Sequence, residues 1–589
     1  MHAKKHTFFK IMNNLLKFLI FIAQARHSKE ADRILKNKKC YSEILMKTAI
    51  YSHIKMSPYI YVYTLALLLG ISITHNTQAN EFNSNQKSTA PRLTIIFVVD
   101  QLAYHYIQNL TPYFTGGLKL LVSQGVNYTN AYWPHATPAT AVGHAGLNTG
   151  AFARYHGIVG NSWYNNENEI HVDKKHLMVD GLTDQFLLAE KPKQNHYSYA
   201  LSSKKRAAMM LAGKTGKALW LNFKNGLISS NSDYFEQLPS WVTDFNEKKN
   251  LQALSSITWK LIFPEKNPAY ALAEATHYQA SSSPSLIDKT ITIDHTKPEP
   301  YQALYTNPYA DKLLLELAQQ CIEAVITSQE DHLLLWISLS SLDPVAHLFG
   351  PASRETVDLI YQLDKNMQEF LDTVWRKIDK NQTLVALTAD HGGMPLIENI
   401  KKKGYTTAYR ITPTALIAQA NSAVEKKEGL KNIVLHYKNS QLFLDTKQFN
   451  KLESKKQTAI IKTIKRSLLK IPGIKAIWTT QELDAVSSYH TDALQYNYAQ
   501  QRYRGRDGHL AIQPQPYTLI SKWTTGTAHK SPYNYDTHVP LIIYQPGYIE
   551  KKTITKKVWP LSLAPTMADI MEIPRPSAAT GKILPGIFN

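Results

Sequence analysis

Carboxylates and imidazoles recur in this chain directly after apolar runs. Leu93-Thr-Ile-Ile-Phe-Val-Val-Asp100 ends in a carboxylate, and His332-Leu-Leu-Leu-Trp-Ile-Ser-Leu-Ser340 leads into Ser341-Leu-Asp343-Pro-Val-Ala-His347. Thr383-Leu-Val-Ala-Leu-Thr-Ala-Asp390-His391-Gly-Gly393 then sets Asp and His side by side. Continuous apolar runs of this length predict strands buried on both faces, as in a parallel sheet covered by helices. Ligands bind at the carboxyl edge of such sheets, so side chains just beyond these strands are placed to act together. Asp and neutral His are ligands that Zn²⁺ accepts while leaving positions open for a substrate. Asp343 and His347, four residues apart, converge on one ion if their segment is helical. Asp390 and His391 need a sharp turn to share a target, which Gly392-Gly393 permits. A lone Asp after a strand is commonly a turn residue or a helix cap; three such groups at one edge favour a metal centre.

The elements that must hold these residues are legible in the spacing. Between the second and third runs, Glu355 to Ile378 carries apolar residues at Val357, Ile360, Leu363, Met367, Phe370, Leu371 and Val374, a helical period. A further stretch, Asn130 to Gly150, reads as an aromatic strand (Val126 to Trp133) followed by an Ala-rich helix (Ala141 to Asn148) ending at Gly150. Thr140 then stands at a helix N-terminus. Unpaired N–H groups and the helix dipole there favour negative charge, which suits a hydroxyl that must become an alkoxide and attack an anion. The competing role is a plain N-cap, where Thr is favoured.

The chain has 589 residues, 44% hydrophobic and 19% charged, the balance of a large globular protein with insertions. Its formal net charge is +20, but residues 1–80 hold 12 Lys/Arg and 3 Asp/Glu, so 20 − 9 leaves +11 for the rest. There is no basic helix and no array of aromatic and Arg residues, so nucleic-acid binding is not expected, and the residual charge suits capture of small anionic substrates. The cysteines are Cys40 and Cys321; with the leader removed one remains, which excludes an internal disulfide framework. Tyr59 to Ile73 is apolar, follows Lys47 and Lys55, and precedes Thr77-Gln78-Ala79, the pattern of a signal peptide cleaved after Ala79. Residues 1–45 are a long preamble, so initiation at Met46 or Met56 would give an ordinary leader. An uncleaved anchor is the alternative, and would be the sole membrane contact. Either way the body is expected in the periplasm or outside the cell. Residues 80–91 read as a polar linker.

At residues 92–585 the chain resembles the alkaline phosphatase superfamily, in particular the phosphate-irrepressible, threonine-nucleophile alkaline phosphatases and the related nucleotide pyrophosphatase/phosphodiesterases. The resemblance is carried by Thr140-Ala-Val-Gly-His-Ala, His156-Gly-Ile-Val-Gly-Asn161-Ser-Trp, Ser203-Lys204-Lys-Arg206-Ala-Ala, Asp343 with His347, Asp390-His391-Gly-Gly, His529-Lys-Ser-Pro-Tyr533, Asp536-Thr-His-Val-Pro540, Ala564-Pro-Thr566 and Gly581. It implies an α/β fold, alkaline-phosphatase-like, with a largely parallel central sheet flanked by helices. Insertions are expected at about 218–298, a cap over the site, and about 400–528, a small α+β unit.

The resemblance also implies two Zn²⁺. Asp343, His347 and His529 would hold one; Asp100, Asp390, His391 and the Thr140 oxygen would hold the other. Asn161 would donate to a phosphoryl oxygen, and Lys204 and Arg206 would mark a preference for phosphate monoesters. His144 is expected to support the site and His538 to pack near the sheet edge. Lys530 departs from the family, which commonly has Gly after the ligand; Lys disfavours left-handed backbone, so the geometry at His529 is the point most open to change. The expected function is an exported zinc-dependent phosphomonoesterase working through phosphothreonine. A phosphodiesterase or nucleotide pyrophosphatase using the same metals is the alternative, with a non-catalytic binding protein behind it.

Overall fold

The computed structural model describes residues 90–273, 285–486 and 493–588. The leader expected over residues 1–79 and most of the linker lie outside the described residues. Among the described residues no helix is long and apolar enough to cross a membrane.

Nine strands make the central sheet: β1 (Leu93–Val99), β2 (Val126–Tyr128), β3 (Asn195–Ser202), β4 (Lys217–Asn222), β5 (Leu227–Ser229), β6 (Asp331–Leu339), β7 (Thr383–Thr388), β8 (Leu541–Tyr544) and β9 (Lys552–Ile554). Their spatial order is β9-β2-β8-β7-β1-β6-β3-β4-β5. The run from β7 to β4 is parallel throughout. Beyond it, β8 and β5 pair antiparallel with their neighbours. The expected α/β architecture is therefore present, with direction reversing only at the flanks.

Every residue of β1, β6 and β7 is buried, as their unbroken apolar runs require. Full burial of each Leu, Ile or Val there contributes roughly 1.5–3 kcal/mol, which makes these three strands a rigid base. Register sets Val99 beside Leu339 and Val98 beside Thr388, so the three carboxyl ends lie abreast. The segments that follow them carry Asp100, Asp343 and Asp390.

Four helices position the site: α1 (Thr140–Thr149), α2 (Lys205–Ala212), α3 (Leu342–Phe349) and α4 (Arg354–Trp375). The helix expected at Glu355 to Ile378 is α4, started by Ser353, whose hydroxyl accepts from the Thr356 N–H. Its Phe370 meets Phe97 of β1 edge to face at 5.8 Å. The end of α1 falls at Gly150, where φ is 65°, a left-handed stop that glycine takes without strain.

Two expectations change. The single strand expected over Val126 to Trp133 is two short ones, β2 in the central sheet and Ala131–Tyr132 paired with His538–Val539. Asn130 breaks it, turning its amide to the Thr555 carbonyl. The interval expected to form a cap from residue 218 opens instead with β4 and β5, which extend the central sheet; the apolar Ala-Leu-Trp-Leu core of β4 is a strand signal that the surrounding turn residues obscure.

Residues 413–514 include the helices Pro413–Glu428 and Ser454–Leu468 packed on a sheet of Val434–Lys438, Gln441–Leu444, Ile474–Thr479 and Leu510–Pro514. Leu416, Val424, Leu442, Ile464 and Ile512 form its own apolar core. The hairpin tip, Asn439-Ser440, has φ of 50° and 57°, the mirror-image turn that suits strand twist. Asn439 reaches back to donate to the Ser162 carbonyl, one residue from Asn161.

Gly143 shows how tightly α1 is seated. A Cβ there would lie 2.5 Å from the Asp390 carbonyl oxygen and 2.6 Å from its Cβ. In an open helix Gly→Ala gains about 1 kcal/mol. Here Gly143→Ala is expected to lose about 1–3 kcal/mol, because backbone cannot give way as a side chain can. Thermal unfolding of the variant checks the sign; a raised midpoint would show that α1 is not packed on Asp390.

Candidate active site

The i, i+4 pair behaves as its spacing predicts. On α3, His347 Nε2 lies 3.0 Å from Asp343 Oδ1, and His529 Nε2 approaches the same oxygen at 3.5 Å. Beside them, His391 Nε2 lies 3.4 Å from Asp100 Oδ1 and 3.3 Å from Asp390 Oδ2. The rings of His391 and His529 stack at 3.5 Å between centroids, so the two groups adjoin. Donor atoms of Asp100, Asp390 and His391, and of Asp343, His391 and His529, lie within 4.8 Å of one another. His391 is thus shared between the two groups, where the resemblance assigns it to one.

Backbone carbonyls orient every imidazole. His347 Nδ1 is 2.7 Å from the Thr527 carbonyl, His391 Nδ1 is 2.9 Å from Gly392, and His529 Nδ1 is 2.9 Å from Pro138. A carbonyl can only accept, so each Nδ1 carries a hydrogen and each ring turns its Nε2 inward. Asp390 is divided likewise: Oδ1 accepts from the N–H groups of Gln101 and His391, at 3.2 and 3.0 Å, leaving Oδ2 for the interior. Gln101 reaches that contact with φ of 67°, a conformation uncommon for a residue with a side chain.

The residues fit a cation. Asp100 Oδ1, Asp390 Oδ2 and His391 Nε2 are buried, face one another, and make no hydrogen bond. Each such group costs about 1–3 kcal/mol, and a metal ion satisfies all three at once. Burial pushes His391 down to about 3 and also lowers His529, keeping both neutral as ligation demands. Burial and the Asp390 charge push Asp100 well above the usual carboxylate range. Burial would raise Asp343 too, but His347 and Lys204 outweigh it and hold that carboxyl well below.

Thr140 is the first residue of α1, with Ala139 in the cap position, so it is not the N-cap that Thr residues commonly provide. It lines a cavity of about 1030 Å³ together with Asn161, Arg206, Asp343, His347 and His529. Asn161 Oδ1 accepts from the Ala141 N–H at 2.9 Å, which leaves the NH₂ end of that amide as its free donor side. Arg206 has a buried Nε with no partner.

Lys204 is held by two of the expected ligands. Its ammonium is bonded to Asp100 Oδ2 at 2.5 Å and Asp343 Oδ2 at 2.7 Å, and the residue does not line the cavity. Two buried carboxylates draw the nearest cation between them. Lys205, between the two, is exposed over Trp220, so only one of the three basic residues is a solvated surface charge.

The supporting histidines divide as expected. His144 bonds the Thr140 carbonyl and Ser338 Oγ, and His538 lies between Tyr104 and Tyr132. Lys530 keeps an ordinary backbone φ, so a side chain is tolerated after His529. Sequence reasoning misses what holds that loop. Buried Asp536 accepts from the N–H groups of Lys530 and Ser531 and from the Ser531 hydroxyl, at 2.7–3.0 Å. Its signal is the Asp536-Thr-His-Val-Pro motif. Gly392 and Gly393 also prove to be close-approach glycines: a Cβ would meet the Tyr535 carbonyl oxygen at 2.3 Å and Gln101 Nε2 at 2.0 Å.

An Asp/His centre at the carboxyl edge of a parallel α/β sheet, with a hydroxyl at the adjoining helix start, defines a phosphoester hydrolase of the alkaline phosphatase superfamily. The chain belongs to the type I phosphodiesterase / nucleotide pyrophosphatase family, whose sequence model matches residues 94–529. It is similar to alkaline phosphatase PafA of Elizabethkingia meningoseptica, 27% identical over 542 residues that cover 84% of this chain and 95% of that one. Alkaline phosphatase PhoV of Synechococcus elongatus is 27% identical over 538 residues, covering 85% and 93%. The crystal structure of PafA shares the fold at a TM-score of 0.73 and 24% identity, covering 85% of this chain and 99% of that one.

Two outcomes are expected from this packing. Asp536→Ala strands two backbone donors and frees the His529 loop, so metal bound per chain, measured by mass spectrometry, is expected to fall by about half or more. Unchanged metal content would show that the loop holds its shape alone. Second, burial pushes His135, His156 and His391 each down to about 3. Their folded pKa lies below the unfolded value of about 6.5, so unfolded chains bind more protons as pH falls. Stability is then lost below about pH 6.5, by roughly 2 kcal/mol per histidine at pH 5. Urea unfolding of chelated protein at pH 7 and pH 5 measures it, and equal midpoints would contradict the burial.

Proposed function

We propose that the protein is an exported, zinc-dependent phosphomonoesterase that works through a phosphothreonine intermediate. The observation that carries this is the convergence of unpartnered ligand atoms on Asp100, Asp390 and His391 beside a threonine at a helix start. The retained Asp343, His347 and His529 group supports a second zinc ion. Bound zinc supplies positive charge that lowers the pKa of nearby hydroxyls and water and stabilises a departing alkoxide. Thr140 Oγ attacks phosphorus, the ester P–O bond breaks, and the alcohol leaves; water then attacks phosphorus and frees phosphate from Thr140. The α1 dipole favours the anion at Thr140. Asn161, its Oδ1 fixed by the helix, donates through Nδ2 to a phosphoryl oxygen.

Arg206 and Lys204 supply the monoester preference. A monoester dianion carries one more negative oxygen than a diester, and cations aimed at it discriminate between the two. Lys204 adjoins both ligand carboxylates, and a cation held by those carboxylates would leave its ammonium free for that oxygen. The names of PafA and PhoV, both alkaline phosphatases, agree with this reading. The signal-peptide pattern ending near Ala79 supports export.

Purified zinc-loaded protein is expected to hydrolyse a nitrophenyl phosphate monoester faster than the bis-ester. Thr140→Ala should lower kcat about 10⁴-fold or more, the scale of losing a covalent nucleophile. Lys204→Ala/Arg206→Ala should lose about 10²-fold or more on the monoester while the diester changes little. Faster diester turnover in the parent protein would favour the phosphodiesterase reading. Unchanged activity in Thr140→Ala would discard the mechanism.

A further inference from the structure

The cavity above Thr140 is far larger than one phosphoryl group, since about 1030 Å³ lies in the range that takes a drug-sized molecule. Its lining holds more cations than carboxylates. Lys438, Lys522, Lys530 and Arg206 line the cavity. Lys438 is answered by Glu169, which it meets at 2.6 Å. Lys522 and Lys530 have no carboxylate partner among the described residues. Both residues are exposed, and the Lys522 ammonium is steadied over the face of Trp523, 4.9 Å from the ring centroid. Lys522 and Lys530 belong to one loop, residues 521–530, and line the same cavity, so their charges share one cleft. Like charges gathered in one cleft repel one another unless an anion joins them, and they raise the local concentration of anions that fit.

We propose that Lys522 and Lys530 form a second anion subsite, which binds a distal phosphate on the leaving group of a bisphosphorylated substrate while Thr140 attacks the other phosphate. The proposal rests on the phosphomonoesterase reading for turnover, but the binding it requires stands apart from catalysis. Two uncompensated ammonium groups match the charge of a phosphate dianion better than that of a carboxylate. Glu169 sets a limit on the site by keeping Lys438 occupied.

Two measurements at neutral pH test this. The first is kcat/KM for a sugar bisphosphate against the same sugar carrying one phosphate, using zinc-loaded protein. The parent enzyme is expected to favour the bisphosphate by about tenfold, and Lys522→Ala/Lys530→Ala to erase that preference while monophosphate turnover stays within about twofold. Lys522→Ala alone, remote in sequence from His529, should remove part of it with metal content unchanged. Glu169→Gln, which frees Lys438, should enlarge it. The second is calorimetric binding of both sugars to Thr140→Ala protein, which should give the same ratio without turnover. Equal affinity for the two sugars, or a preference that survives the double variant, overturns the subsite. Preferential binding by a protein that hydrolyses neither sugar keeps the subsite and discards the phosphomonoesterase reading instead.

Discussion

Three carboxylates, Asp100, Asp343 and Asp390, are held inside one buried site, and their mutual repulsion is the constraint around which the rest is arranged. Each must be matched by positive charge or by a donor. Asp390 gives one oxygen to two backbone N–H groups, and Asp343 is met by His347. Lys204 spans Asp100 and Asp343. What is left unmatched is the three-atom group that fits a cation. The close-packed parallel strands beneath are what allow such a concentration of charge to be held in place, since carboxyl ends locked in register cannot drift apart.

Much of this is legible in the amino-acid sequence itself. Uninterrupted apolar runs identify β1, β6 and β7 because strands buried on both faces can hold nothing else, and the residues just after them carry the three carboxylates. The Asp343/His347 spacing works because helical geometry is local. Contacts made by backbone carbonyls are not legible: nothing in the residue names Pro138 or Thr527 says that their oxygens orient His529 and His347. The family resemblance casts Lys204 as a phosphate ligand; its position between Asp100 and Asp343 depends on three segments that are far apart in the chain. The broken strand at Asn130 and the sheet strands β4 and β5 escape pattern reading because short edge elements take their form from neighbours more than from their own pattern.

The nucleophile candidate and the metal candidates belong to one packed assembly. Gly143 lets α1 lie against the backbone of Asp390, while Asn161 ties the start of the same helix to the segment that Asn439 holds from the distant hairpin. The insertion around residues 413–514 thus has a core of its own and still touches the site through the turn at Asn439. That arrangement separates two tasks. The sheet sets the chemistry, and the insertion and the loop at residues 521–530 shape what can approach it.

The cleft's openness carries one more consequence. Lys522, Trp523 and Lys530 line the cleft and are exposed to solvent, and charges in water are screened over about 8 Å at 0.15 M ionic strength, less in brine and far more distantly in dilute media. The buried carboxylates and histidines are shielded from that variation, whereas the outer lysines are not. The anion selectivity proposed for this cleft would therefore be a property of the surrounding medium as much as of the protein. In fresh water the cleft would gather anions from a distance; in saline surroundings it would sort them only on contact.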